Sequence, residues 1–94
     1  MFEIKLDKNN IVYLSGRFDA TQVDKAYEVF DRIQSSGDVD FTNLDYISSA
    51  GLSVLLKTQK RLKDQGEAMK LVNMNQHVKK VFTYAGFDII FEIT

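Results

Sequence analysis

Four small residues, Ser48-Ser49-Ala50-Gly51, stand between an apolar lead-in and an apolar segment, and this serine junction constrains the fold more than any other stretch. The leucines that follow, at positions 52, 55, 56 and 62, recur at helical spacing. The junction is therefore expected in the first turn of a helix, where a serine hydroxyl can accept a hydrogen bond from a free backbone N–H. The same place favours an added negative charge, so the serines can be read as a plain helix cap or as a phosphate site.

The composition of the junction exceeds what a cap requires. One serine side chain is enough to cap a helix, and here Ser48 and Ser49 are adjacent. Gly51 within the first turn costs about 1 kcal/mol of helix stability relative to alanine. We expect that cost to be offset by the close approach of another backbone, either from the sheet of this chain or from a partner.

The first third of the chain predicts a hairpin followed by a helix. Alternation of apolar and charged residues predicts a strand over residues 2–6, and a β-branched and aromatic run predicts a second strand over residues 11–14. Their short connection favours an antiparallel hairpin. Residues 16–21 are expected to leave the second strand, with Asp19 or Thr21 capping a helix whose apolar face is ended by Ser35-Ser36-Gly37.

The remainder alternates between strand and helix. The predicted elements are a short strand around residues 39–41, a helix from the serine junction to about residue 65, a strand at 69–72, a helix with apolar positions 78, 81, 82 and 85, and a final strand over residues 87–93. Gly66 and Gly86 are placed to end the two helices, and Asn73 or Asn75 is placed to cap the second of them.

This order predicts a single α/β domain over residues 1–94, with a mixed, mostly parallel sheet of about five strands and helices packed against it. Phe30, Ile33, Leu55 and Val81 are expected in the core, as are the aromatic residues, including Tyr13 and Tyr27. Sites in such sheets gather at the carboxyl ends of parallel strands. Asp19 and Ser49 each follow a predicted strand, so we expect them to share a surface.

Several classes of function lack support in the composition. The formal net charge is −1, which favours neither a nucleic-acid nor an anionic-membrane partner, and the absence of cysteine suits a reducing cytoplasm. The only histidine is His77, and there is neither a metal-ligand cluster nor a glycine-rich phosphate loop. Without a nucleophile–base pair the chain does not have the features of an enzyme, and we expect no catalytic residue, metal or cofactor.

Two segments resemble the signature of STAS domains, the family of bacterial anti-sigma factor antagonists. Residues 40–55 resemble its Asp-aliphatic-Ser/Thr segment followed by a serine turn and Gly-Leu, and residues 16–20 resemble its Gly-acidic-aliphatic-Asp turn. The resemblance covers essentially the whole chain and implies that Ser49, two residues before the motif glycine, is phosphorylated. It also implies a partner-binding patch of Asp19, Ser48, Ala50, Gly51 and Arg17. Ser48 stands where aspartate is common, and Arg17 stands where an acidic residue is usual.

By the same resemblance, the chain is expected to act by partner switching. The unphosphorylated protein would bind an anti-sigma factor that is a GHKL-type serine kinase, phosphorylation would release it, and a PP2C-type phosphatase would restore it. A rival hypothesis is a STAS docking subunit of a larger complex such as a lipid-transport ATPase, without phosphorylation. Two further hypotheses lack support in the sequence. A small nucleotide- or ligand-binding sensor is not supported by a phosphate loop, and an enzyme is not supported by a set of catalytic residues.

Overall fold

Three helices and five strands make up the fold in the computed structural model, which describes residues 1–94. In chain order the elements are β1 (Phe2–Leu6), β2 (Val12–Phe18), a 3₁₀ turn (Ala20–Gln22), α1 (Val23–Phe30), β3 (Gly37–Ile47), α2 (Ser49–Lys63), β4 (Met69–Val72), α3 (Gln76–Tyr84) and β5 (Glu92–Ile93). The sheet has the order β1-β2-β3-β4-β5, with β1 antiparallel to β2 and every other pair parallel. The predicted α/β class, hairpin and mostly parallel sheet are confirmed.

One apolar core lies between the sheet and the helices. Its 22 buried residues come from the strands and from all three helices, so the helices pack on the same face of the sheet. Phe2 and Phe18 stack within it with ring centroids 4.6 Å apart. Of the four positions expected in the core, Phe30, Ile33 and Leu55 are fully buried, whereas Val81 is only partly buried.

Two of the aromatic residues expected in the core are exposed, Tyr13 and Tyr84, and Tyr84 is 85% exposed. Tyr13 is 42% exposed, because it lies on the face of β2 away from the helices and its hydroxyl donates to the Asp7 carboxylate. Tyr27 is partly buried against the core. The expectation that these residues lie in the core was therefore wrong for Tyr13 and Tyr84, because the polar end of a tyrosine makes an exposed position favourable.

The predicted bounds were wrong for two central strands. β2 continues through Gly16 and Arg17 to Phe18, where a loop was expected, and β3 is 11 residues long, where a short strand was expected. Each strand supplies hydrogen-bonding partners for the other, with Arg17 opposite Tyr46 and Phe18 opposite Ile47. Pairing thus extends both strands to the serine junction.

Helix α1 and the last strand are shorter than predicted. α1 ends at Phe30, before Ser35, and the guanidinium of Arg61 donates to the carbonyl oxygens of Phe30 and Ile33 just past that end. β5 comprises only Glu92–Ile93, because residues 85–90 form turns instead of a strand. The apolar residues of that turn region were mistaken for a continuous strand.

Candidate functional site

The serine junction begins helix α2, and Ser48 is its cap. The Ser48 Oγ accepts a hydrogen bond from the Gly51 N–H at 3.2 Å and donates one to the carbonyl oxygen of Phe18 at 3.1 Å. The Ser48 N–H donates to the same carbonyl at 3.0 Å. Ser48 is half-buried and its hydroxyl is fully engaged within the chain, which settles the choice of cap between the two serines.

Ser49 is the first residue of α2, and its side chain is exposed. Its hydroxyl makes no hydrogen bond within the chain, in contrast to that of Ser48. The neighbouring Ala50 is half-exposed, so no large side chain of α2 shields the Ser49 hydroxyl from that side. The two adjacent serines therefore have different roles: one is held by the backbone, and the other presents a free hydroxyl at a helix N-terminus.

Gly51 explains how the helix can begin so close to the sheet. A Cβ at this position would lie 2.9 Å from Cγ1 of Ile47 and 3.1 Å from the carbonyl oxygen of Phe18. The expected close approach is therefore to the sheet of this chain. Because Gly51 is buried, it contributes to the site by letting α2 start against β2 and β3.

Asp19 follows β2 and organises the turn beside the junction. Its Oδ1 accepts hydrogen bonds from the Thr21 hydroxyl and from the Thr21 N–H, at 2.5 and 3.0 Å, and so caps the 3₁₀ turn. These bonds, the hydroxyl first, hold the pKa of Asp19 below its ordinary value, and the positive charge of Arg17 acts in the same direction. Asp19 is thus a carboxylate at neutral pH.

Arg17 stacks on an aromatic ring at the border of the site. Its guanidinium carbon lies 4.2 Å from the centroid of the Tyr46 ring, and the two residues are register partners across β2 and β3. This cation–π contact attracts the guanidinium to the face of the ring. Tyr46 was not predicted to take part, because its position opposite Arg17 depends on a register with irregular steps that the sequence does not reveal.

The structure brings the two predicted segments together through Phe18. Its backbone carbonyl holds Ser48, and the next residue along the chain is Asp19. We call Arg17, Asp19, Ser48, Ser49, Ala50 and Gly51 the switch patch; it lies around the carboxyl ends of β2 and β3. Asp19 and Ser49 lie on neighbouring segments of this patch without a hydrogen bond between them.

Other features of the molecule lie away from the switch patch. A cavity of about 450 Å³ lies across β1, β2 and β3, lined by Glu3, Lys5, Tyr13, Leu14, Ser15 and Asn43. No group of three or more histidine, cysteine, aspartate or glutamate side chains is arranged to hold a metal ion. None of the helices combines the length and apolar character needed to cross a membrane.

Comparison with known proteins identifies relatives of the sequence. The sequence model of the STAS domain family matches residues 2–94. The candidate anti-sigma factor antagonist BtrV of Bordetella bronchiseptica is 42% identical over 55 residues, which are 58% of this chain and 47% of BtrV. The match thus spans about half the length of that curated relative.

Comparison of folds identifies solved structures of the same architecture. A candidate anti-sigma factor antagonist from Thermotoga maritima superposes with a TM-score of 0.81 at 21% identity, over 98% of this chain and 84% of that one. The Bacillus cell fate determinant SpoIIAA in its phosphorylated form superposes with a TM-score of 0.71 at 17% identity, over 100% of this chain and 91% of that one. At these identities the likeness shows a shared fold.

Proposed function

The chain belongs to the STAS domain family, and on that premise we propose that it is an anti-sigma factor antagonist switched off by phosphorylation of Ser49. The observation that carries the proposal is the difference between the two serines: the Ser48 hydroxyl is bonded to Gly51 and Phe18, whereas the Ser49 hydroxyl is free and exposed. The name of the relative BtrV supports the same class of function.

In the proposed cycle the chain contributes a hydroxyl and a docking surface, and the partner contributes the chemistry. A GHKL-type anti-sigma factor with serine kinase activity binds the switch patch and thereby releases its sigma factor. The kinase supplies ATP and Mg²⁺ and transfers the γ-phosphoryl group to the Ser49 oxygen. A PP2C-type phosphatase removes the phosphate, and the whole cycle takes place in the cytoplasm.

The physical basis of the switch is the charge of the phosphate. Phosphorylation adds roughly −1.5 to −2 charges at neutral pH. At the exposed start of α2 in the free protein this charge is compatible with the helix dipole and with water. Within a packed interface the same charge would be desolvated, at a cost of several kcal/mol if no cation meets it. One modification can therefore dissociate the complex while the domain stays folded.

The test is intact mass and phosphopeptide mapping after incubation with GHKL-type anti-sigma factors and ATP. We expect one added phosphate, on Ser49, and none on the Ser49→Ala variant, which should still bind the kinase because only a hydroxyl is lost. Ser48→Ala is the matched control: it should lose about 1 kcal/mol of stability with the cap and still accept the phosphate.

Two outcomes would contradict the proposal in different ways. Phosphate on Ser48 or Ser53 with Ser49 unmodified would show that the site is wrong. No phosphate on any residue, together with normal partner binding by Ser49→Asp, would replace the switch by a constitutive docking subunit, such as a component of a lipid-transport ATPase. Turnover of ATP by the chain alone, lost on Ser49→Ala, would show that the expectation of a non-enzymatic protein is wrong.

A further inference from the structure

Arg17 differs from the other two arginines of the chain in what its guanidinium contacts. Arg61 donates to the carbonyl oxygens of Phe30 and Ile33, and Arg32 donates to that of Glu28. The two ion pairs of the molecule are formed by lysines, with Glu3 and with Glu92. The Arg17 guanidinium therefore pairs with no carboxylate and donates to no acceptor within the chain. Arg17 is exposed, so its guanidinium is accessible to a partner.

The Tyr46 ring makes this unpaired cation a defined feature of the surface. The guanidinium carbon lies over the ring, 4.2 Å from its centroid, while the N–H groups of the guanidinium stay free to donate. A planar fork of N–H donors suits a carboxylate or phosphate, which it can bind through two parallel hydrogen bonds. Because the contact with the ring restrains the guanidinium, less side-chain entropy is lost when it binds.

The position of this cation relates it to the proposed interface. Arg17 lies two residues before Asp19, and Tyr46 lies two residues before Ser48, so the stacked pair borders the switch patch. Asp19 forms no ion pair with Arg17; its Oδ1 accepts from Thr21, and its Oδ2 makes no hydrogen bond within the chain. The patch thus presents a cation and an anion side by side, both available to a partner.

We infer that Arg17, oriented by Tyr46, is a specificity-determining residue that binds a carboxylate of the anti-sigma factor. The inference rests on the proposed function and adds the chemistry of the partner surface. The bound group is a side-chain carboxylate and not the phosphate of Ser49, because in the proposed cycle the complex forms with the unphosphorylated chain. A matching partner presents an acidic residue to Arg17 and a basic one to Asp19.

The experiment compares the affinities of variants for the GHKL-type anti-sigma factor that retains the wild-type chain, by isothermal titration. Arg17→Glu should weaken binding at least tenfold, since an interfacial charge pair is replaced by a like-charge contact. Arg17→Lys keeps the charge without the planar fork, so its affinity should lie between those of the wild type and Arg17→Glu. Lys8→Glu, in the β1–β2 turn at the opposite end of β2, makes the same change of charge and should bind like the wild type.

Two further variants distinguish a specific contact from a general electrostatic effect. Tyr46→Leu leaves the charge of Arg17 in place and removes its support, so it should weaken binding severalfold at unchanged net charge. On the partner, reversing one acidic residue to arginine should restore at least half of the lost binding energy of Arg17→Glu while weakening the wild-type complex. Thermal unfolding midpoints close to that of the wild type would show that each variant is folded.

The outcomes separate this inference from the proposed function. If the wild type binds and Arg17→Glu stays within twofold of it, the carboxylate contact is overturned and the antagonist function stands. If Arg17→Glu binds weakly but no acidic reversal on the partner rescues it, a paired carboxylate is likewise excluded. If no anti-sigma factor binds the wild type, the proposed function fails, and this inference fails with it.

Discussion

At the scale of single residues, Gly51 sets the geometry of the switch patch. Glycine lowers helix stability by about 1 kcal/mol relative to alanine, so propensity alone predicts that Gly51→Ala stabilises the protein. The structure predicts the opposite, because the new methyl group would lie 2.9 Å from Ile47 and 3.1 Å from the backbone of Phe18. Overpacking costs about 1–3 kcal/mol, which should exceed the gain in propensity and leave a net loss of about 1 kcal/mol.

Urea unfolding with an unchanged m-value measures this difference. Ser53→Ala, an exposed position two residues further along α2, is the control and should be neutral or slightly stabilising. A Gly51→Ala variant as stable as this control would show that α2 can move away from the sheet without loss. In that case Gly51 would not be required for the packing of the serine junction.

At the scale of secondary structure, the elements that the sequence predicted well are those with a regular apolar period. Leucine spacing predicted α2 with Leu52, Leu55 and Leu62 on its buried face, although Leu56 is only half-buried, and alternation predicted the order of strands and helices along the chain. The second half of β3, residues 42–47, was missed because it contains Asn43 and Asp45, which are poor strand formers, and it becomes strand through pairing with β2. The contact of Arg17 with Tyr46 was missed because it depends on the register between β2 and β3, which the sequence does not reveal.

Gln59 joins α2 to the sheet through a contact that the spacing of apolar residues does not predict. It is 1% exposed, its Oε1 accepts from the Met69 N–H at 2.7 Å, and its Nε2 donates to the carbonyl oxygens of Met69 and Ile90. Gln59→Leu replaces the amide by an apolar side chain of similar size and removes the hydrogen bonds to both backbone groups of Met69, whereas the Ile90 carbonyl keeps the bond from Lys63. We expect a loss of about 1–3 kcal/mol for each buried group left unpaired.

The measurement is the free energy of unfolding in urea, with Gln65→Leu as the control. Gln65 is exposed past the end of α2, so its substitution should change stability by less than about 0.5 kcal/mol. If Gln59→Leu is as stable as the wild type, water or a shifted backbone must satisfy Met69, and the bridge is not needed to dock α2 on β4.

At the scale of the whole molecule, carboxylates hold the connections between elements in place, both across distant loops and within a single turn. Oε1 of Glu67, after α2, accepts from the Ser36 hydroxyl and N–H at 2.7 and 2.8 Å, joining the loops that precede β3 and β4. Asp7 accepts from the N–H groups of Ile11 and Asn9 in the β1–β2 turn. The bond from the Ser36 hydroxyl is the main reason that the pKa of Glu67 lies below its ordinary value of 4.5. The bond from the Ile11 N–H is the main reason that the pKa of Asp7 lies below its ordinary value of 3.8.

These lowered pKa values predict a loss of stability in acid. A carboxyl group whose pKa is lower in the folded state binds fewer protons there than in the unfolded chain at intermediate pH. Its stabilisation is therefore complete above the ordinary values of 4.5 and 3.8 and is lost as pH falls through them to the lowered folded-state values. The free energy of unfolding in urea should be flat from pH 7 to about 5 and then decrease steadily toward pH 3.

Glu67→Gln keeps an acceptor for Ser36 but does not titrate, so it should lose less stability than the wild type between pH 5 and pH 3. A wild-type stability that is unchanged or higher at pH 3 than at pH 5 would contradict the prediction, because these carboxylates would then contribute no net stabilisation to the fold.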